Sequence, residues 1–200
     1  MQNKYKGITF GTAEAVFNKL GGQEGIEKFL RGETKIVSQF VSEVHPWYFK
    51  TITIGDYDSV QKIGAELIKR NFVFSDQCQV VMSNIEVSKE KKEIKLFVTT
   101  IKELTGKNKA NYIEVVDAVI SKGYKLCPAE VGPQLRLQYD DQTYNDWLRI
   151  LMEPISLWGK GKKIFALSHT RKSDTNHWNV NIDAQPTRAL FGAHRVVFCK

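Results

Sequence analysis

Helical and strand-like patterns are segregated along this chain, and the segregation limits the fold more than any single motif does. Apolar residues recur at helical spacing in the earlier part: Ala15, Val16 and Leu20, then Ile26, Phe29 and Leu30, then Val60, Ile63, Leu67 and Ile68, then Ile113, Val116, Val119 and Ile120. Later, WLRILMEPI, KIFALSH, HWNVNID and HRVVFCK carry strand patterns. Strands that follow helices, without alternating with them, predict an α+β fold and not a βαβ series. A chain of 200 residues holds one main domain and a smaller unit. The predicted division is 1–45, a small helical N-terminal unit, and 46–200, an α+β main domain with C-terminal antiparallel strands.

Local punctuation places the elements. Thr12 and Glu14 open a first helix that Gly21-Gly22 closes, and Gly32 closes a second. KTITIG predicts a strand ending at Gly55, after which Ser59 caps a helix. Lys89–Glu93 predicts an exposed turn before a strand over Ile94–Thr100. Asn111 caps a helix ended by Gly123, with Ile113, Val116, Val119 and Ile120 as its apolar stripe. Pro128 then opens another helix, with Glu130 in its first turn as a buried acid receiving backbone N–H groups. In WGKGKK, two glycines supply the positive φ values of a hairpin turn.

With 42% hydrophobic and 26% charged residues, the composition predicts a packed core and not disorder. Three widely spaced cysteines, Cys78, Cys127 and Cys199, argue against a disulfide framework; they read as buried small apolar residues in a reducing cytoplasm. None has zinc-ligand spacing, and the chain has no GxGxxG or P-loop, so neither metal nor cofactor is implied. Met1–Gly7 is polar and basic and predicts no export signal, and no apolar run reaches the roughly 18–20 residues of a membrane span. The net charge is +7, and eight Lys/Arg against two acids place +6 of it between Ser156 and Lys200. That excess is either a solvated face or a footprint for an anionic partner.

The run ISKGYKLCPAEVGPQLRLQYDDQ, followed by WLRILMEPI, IFALSH, a Trp-containing strand and RVVFCK, resembles a widespread family of uncharacterised bacterial proteins. LCPAEVGPQLRLQY is its signature, and FNKLGGQEGIEKFLRGE and WYFKTITIG look like its N-terminal half. This resemblance implies relatives and no reaction. The order of a helix, GYKLCPAE and a closing HRVVFCK is also similar to C-type-lectin-like and sulfatase-modifying-factor-like domains, with Glu130 and Arg195 on that pattern's Glu and Arg. It implies a binding scaffold. The chain departs from the pattern in having Cys127 before Pro128 and no Trp after Glu130. Isolated in sequence, Cys127 and Cys199 offer no counterpart to the copper-binding cysteine pair of the formylglycine-generating enzymes.

The polar chemistry concentrates between His169 and His194. Alternation in NHWNVNID puts Asn176, Trp178, Val180 and Ile182 on one strand face and His177, Asn179, Asn181 and Asp183 on the other. The candidate ligand-binding residues are therefore His169, Arg171, Asn176, His177, Asn179, Asn181 and Arg188. Trp147 and Trp178 read as core aromatics, Trp47 and Trp158 as surface anchors. The sequence points first to a non-enzymatic binding protein for an anionic ligand or a protein partner. A nucleic-acid-associated protein of a mobile-element or defence system is the alternative, and a hydrolase using His169, His177 and His194 is a third.

Overall fold

The computed structural model describes residues 22–33, 46–171, 178–187 and 190–200, with the backbone alone for 171 and 178–185. The chain divides into two compact units, Met1–His45 and Pro46–Lys200. In the first, helix α1 (Gly22–Leu30) carries Ile26, Phe29 and Leu30 along one side and buries none of its residues. A Glu24–Lys28 ion pair of 2.7 Å supports it, and Gly32, with a φ of 74°, follows its end. The helix expected from Thr12 lies outside the described residues.

The second unit is built on a mixed sheet. Its strands are β1 (Tyr48–Ile54), β2 (Val73–Phe74), β3 (Lys92–Thr100), β5 (Trp147–Ile150), β6 (Ile155–Leu157), β7 (Gly161–Arg171), β8 (Trp178–Pro186) and β10 (Arg195–Cys199). They run in the order β1-β3-β10-β5-β7-β8-β2, with β6 paired to β7 off this line, while β4 (Lys109–Ala110) and β9 (Leu190–Phe191) form a separate pair. The expected α+β class is what the chain adopts. The C-terminal strands are not uniformly antiparallel: β10 runs antiparallel to β3 but parallel to β5, and β2 runs parallel to β8. The closing strand thus sits in the middle of the sheet.

Among the described residues of the unit there are five helices: α2 (Val60–Lys69), α3 (Asp76–Ser83), α4 (Ile101–Thr105), α5 (Tyr112–Ser121) and α6 (Val131–Gln138). Their starts follow side-chain chemistry. The Ser59 hydroxyl accepts from the Lys62 N–H, and Asn111 and Glu114 form a reciprocal capping box. Gly123, with a φ of 79°, takes the chain out of α5 as expected. Helix α3 was not evident in the sequence, although Ser75 caps it in the same manner. The stripe of α5 that is buried is Tyr112, Val115 and Val119, while Ile113 and Ile120 are exposed. Apolar residues surround most of this helix, so the sequence pattern alone left its rotation open.

The GYKLCPAEVGPQLRLQY stretch lies at the heart of the unit. Lys125 exchanges backbone hydrogen bonds with Cys199, and the Cys127 N–H donates to the Leu151 carbonyl, so the segment after α5 lies against β10 and the end of β5. The helix then begins at Val131, three residues later than the Pro128 start; Pro128 opens a turn in which its carbonyl accepts from the Val131 N–H. Glu130 is buried as expected, but it makes no cap bond. One of its carboxylate oxygens instead accepts from the Ser88 N–H at 2.9 Å. Seven of the eight residues of α6 are buried, which makes it a core helix and not an amphipathic surface one.

Close approach of α6 to the sheet depends on Gly132. A Cβ there would lie 2.5–2.7 Å from side-chain carbons of Phe165, which is itself fully buried. Gly132→Ala should therefore destabilise the protein by about 1–3 kcal/mol or more through overpacking. In a double-mutant cycle, Phe165→Ala should recover part of that loss; strictly additive urea-denaturation free energies would contradict the contact.

Candidate functional site

Arg136 is the largest fully buried side chain of the structure and has no carboxylate within ion-pair distance among the described residues. It donates to Gln142 Oε1 at 2.6 Å and to the Tyr139 carbonyl, while its guanidinium lies over the Phe72 and Tyr139 rings. Burial draws its pKa down to about 10, which leaves it charged at neutral pH. Gln142 passes the connection on: its amide donates to the carbonyls of Asp146 and Leu167 at 3.1 and 3.2 Å. Asp146, nearly buried, accepts from Arg195 at 2.6 Å. A hydrogen-bonded chain therefore runs from a core arginine to an arginine at the start of β10.

At the outer end of that chain lies a cleft of about 370 Å³, lined by Asn145, Asp146, Trp147, Arg149, Ala193, His194 and Arg195. It forms where the parallel strands β5 and β10 begin side by side. Arg149 is half-buried and makes no hydrogen bond or ion pair among the described residues; burial holds its guanidinium below the ordinary value. His194 Nδ1 accepts from the Phe191 N–H at 3.1 Å, so the neutral ring carries its proton on Nε2. Burial first, and the charge of Arg149 second, lower the His194 pKa. Asn145 adopts the left-handed conformation, with a φ of 61°, where the chain turns into β5.

The residues expected to form the site fall differently. His169 is half-buried on β7, with Nδ1 2.6 Å from the Gln142 carbonyl oxygen, and its backbone pairs with Asn145 and Asp146. It braces the loop behind the cleft and does not line it. Arg171, Asn179 and Asn181 belong to β7 and β8 by their backbones. Register places Asn181 in the row of Ser168 and Trp147, and Asp183 in the row of Ala166 and Arg149. Asn176, His177 and Arg188 lie outside the described residues. Trp147 is half-buried and faces the cleft instead of the core, Trp47 packs its ring against Tyr124 and Phe198, and Trp158 is fully exposed. Among the described residues no three His, Cys, Asp or Glu side chains gather as metal donors.

Sequence reasoning did not join Trp147, Arg149 and His194 in one site: Trp147 reads as a core aromatic, Arg149 as part of an ordinary strand and His194 as one of a histidine trio. The available signal was the charge at Arg149, set between Leu148 and Ile150 in a strand pattern. A second correction concerns the cysteines. Far apart in sequence, Cys127 and Cys199 are brought near each other by the Lys125–Cys199 pairing, where the Cys199 thiol donates to the Leu126 carbonyl at 3.2 Å and the Cys127 thiol faces the Val197 carbonyl at 3.8 Å. Burial pushes the Cys127 thiol well up, which leaves Cys199 the readier of the two to ionise.

Comparison of the chain with protein-family models, with curated proteins and with solved structures finds no match. Among the described residues no helix is long and apolar enough to cross a membrane.

The histidine gives a pH test. The unfolded imidazole titrates near about pH 6.5 and the folded one lower, so as pH falls through that window the unfolded chain binds the proton first. The contribution of His194 to stability is present above about pH 6.5 and is lost below it. Between pH 7.5 and 5.5, urea midpoints should fall more for the parent protein than for His194→Gln; parallel declines would show that this imidazole keeps its unfolded-state pKa.

Proposed function

We propose that this protein is a non-enzymatic binding protein that takes a small anionic, acceptor-rich ligand into the cleft between the starts of β5 and β10. The observation that carries this reading is Arg149, a half-buried guanidinium without a partner among the described residues. Dehydrating a cation without pairing it is costly, so an anion entering the cleft recovers interaction energy that the free protein lacks. The neighbouring groups favour the same ligand chemistry. Neutral His194 offers Nε2–H, while the carboxylate of Asp146 is already engaged by Arg195. A volume of about 370 Å³ suits a small molecule. None of the lining residues is a Ser, Thr or Cys, and the one carboxylate of the lining, Asp146, is held by Arg195, which supports binding over acyl transfer. Asn179 and Asn181, which register places in the rows of Thr170 and of Ser168 and Trp147, support extending the proposed recognition face along β8, whereas Arg171 pairs with Trp178 in a row of the opposite face.

The kinship with C-type-lectin-like domains and a cytoplasmic setting belong to the same proposal. Pairing of Lys125 with Cys199, which joins GYKLCPAE to the closing strand, supports the first. The wide sequence spacing of the three buried cysteines supports the second.

A second reading has its own observation. Trp158 stands fully exposed at the tip of the β6–β7 hairpin beside exposed Lys160 and Lys162, an arrangement suited to stacking on a base while lysines meet phosphates. Binding of single-stranded nucleic acid that falls steeply with salt and with Trp158→Ala would favour it.

Arg149→Met decides the leading reading. Calorimetric titration with phosphate and small carboxylates should show binding by the parent protein, weakened about 10- to 100-fold in Arg149→Met, since a hydrogen bond to a charged group contributes about 1.5–3 kcal/mol. Equal affinities in the two proteins would overturn the assignment of the cleft.

A further inference from the structure

We propose that the ligand of this cleft is a planar aromatic anion, whose flat ring stacks on Trp147 while its carboxylate or phosphate pairs with Arg149. The inference rests on the anion-binding reading above and adds the ligand class to it.

Trp147 and Arg149 are two residues apart on β5, so they share one face of the strand. The strand rise separates their Cα atoms by about 6.5–7 Å. That spacing matches a ring carrying its anionic group at or near its edge. Both side chains line the cleft, and Ala193, on the β10 side, takes up little of it.

Among the described residues no ring engages the indole, in a region where other rings are engaged. Tyr144 meets His169 edge to face at 6.3 Å, and Phe191 meets His194 at 5.4 Å. Trp147 makes no ring–ring contact among the described residues. Nor does either guanidinium of the cleft lie over it, although such stacking occurs elsewhere, as in Arg136 over Phe72. A half-buried indole beside two arginines that leave its face free is suited to a flat ligand.

Polar groups around the pair sharpen the fit. Arg149 presents a forked donor set that matches carboxylate or phosphate oxygens. With Nδ1 occupied by the Phe191 N–H, His194 can offer only Nε2–H to a ligand while neutral, a second donor for the same anionic group. A bare phosphate would satisfy Arg149 and leave the apolar part of the cleft unfilled. A ring with an attached anion uses both.

The test uses the full chain and isothermal titration with four probes: 2-naphthoate, cyclohexanecarboxylate, adenosine 5′-monophosphate and inorganic phosphate. The parent protein should bind a ring-bearing probe roughly tenfold or more tightly than its ring-free counterpart of similar charge. 2-Naphthoate against cyclohexanecarboxylate reports a carboxylate ligand, and adenosine monophosphate against phosphate reports a phosphate one. Trp147→Leu should abolish the preference and keep the ring-free affinity, Trp147→Phe should retain most of the preference, and Arg149→Met should weaken all four probes. Retention of the full preference in Trp147→Leu, or its loss in Trp147→Phe with the fold intact by circular dichroism, overturns the stacking assignment. Ring-free anions that bind through Arg149 as tightly as aromatic ones refute the ligand class while the anion-binding reading stands. Absence of binding by all four probes sinks both.

Discussion

A charge buried without a counter-charge in hydrogen-bonding range sets the architecture around α6. Arg136 cannot be left in the core unless its donors are met, and the groups that meet them are neutral: the Tyr139 carbonyl at the end of its own helix and the side chain of Gln142. Satisfying it ties down the connection from α6 to β5, since Tyr139 and Gln142 both lie in that connection. Gln142 in turn bonds backbone carbonyls of Asp146 and Leu167, which fixes the entry of β5 against β7. Placement of Asp146, Trp147 and Arg149 is thus a downstream result of solvating one guanidinium with protein atoms. Among the described residues, Arg136 Nε and Gln134 Nε2 meet no protein acceptor.

The elements written in local chemistry were legible in the sequence. Ser59, Asn111 with Glu114, and Gly123 each act within a few residues of themselves, so spacing alone places them, and the same holds for the WGKGKK hairpin. What escaped depended on neighbours remote in sequence. Nothing in HRVVFCK says that it will lie between β3 and β5, and the cleft exists only because it does. The α5 stripe was misplaced because Ile113 and Ile120 are as apolar as Val115 and Val119; docking decides which set is covered. His169 shows a related limit: a histidine at a strand end can face a ligand or brace a loop, and its contact with the Gln142 carbonyl is not legible in the sequence.

The same contrast explains the GYKLCPAEVGPQLRLQY stretch. It carries no reacting group, yet it contains the buried cation, the buried carboxylate of Glu130, the glycine that admits Phe165 and the thiol that meets Cys199. Polar residues inside a helix buried on nearly all sides restrict what can replace them far more than apolar packing would. Its character is that of a keystone for the unit, and the residues that line the cleft begin one connection further along the chain.

The central position of β10 also orders events in time. During synthesis β1 and β3 can pair as soon as both are made, and β5, β7 and β8 can form their own antiparallel group, but the two flanks share no edge until residues 195–199 emerge. Until then the inner edges of β3 and β5 lack their strand partner, as does Lys125, which awaits Cys199. Residues 195–199 thus act as a clasp that joins the two strand groups within the sheet, brings Cys199 beside Cys127 and sets Arg195 at the cleft.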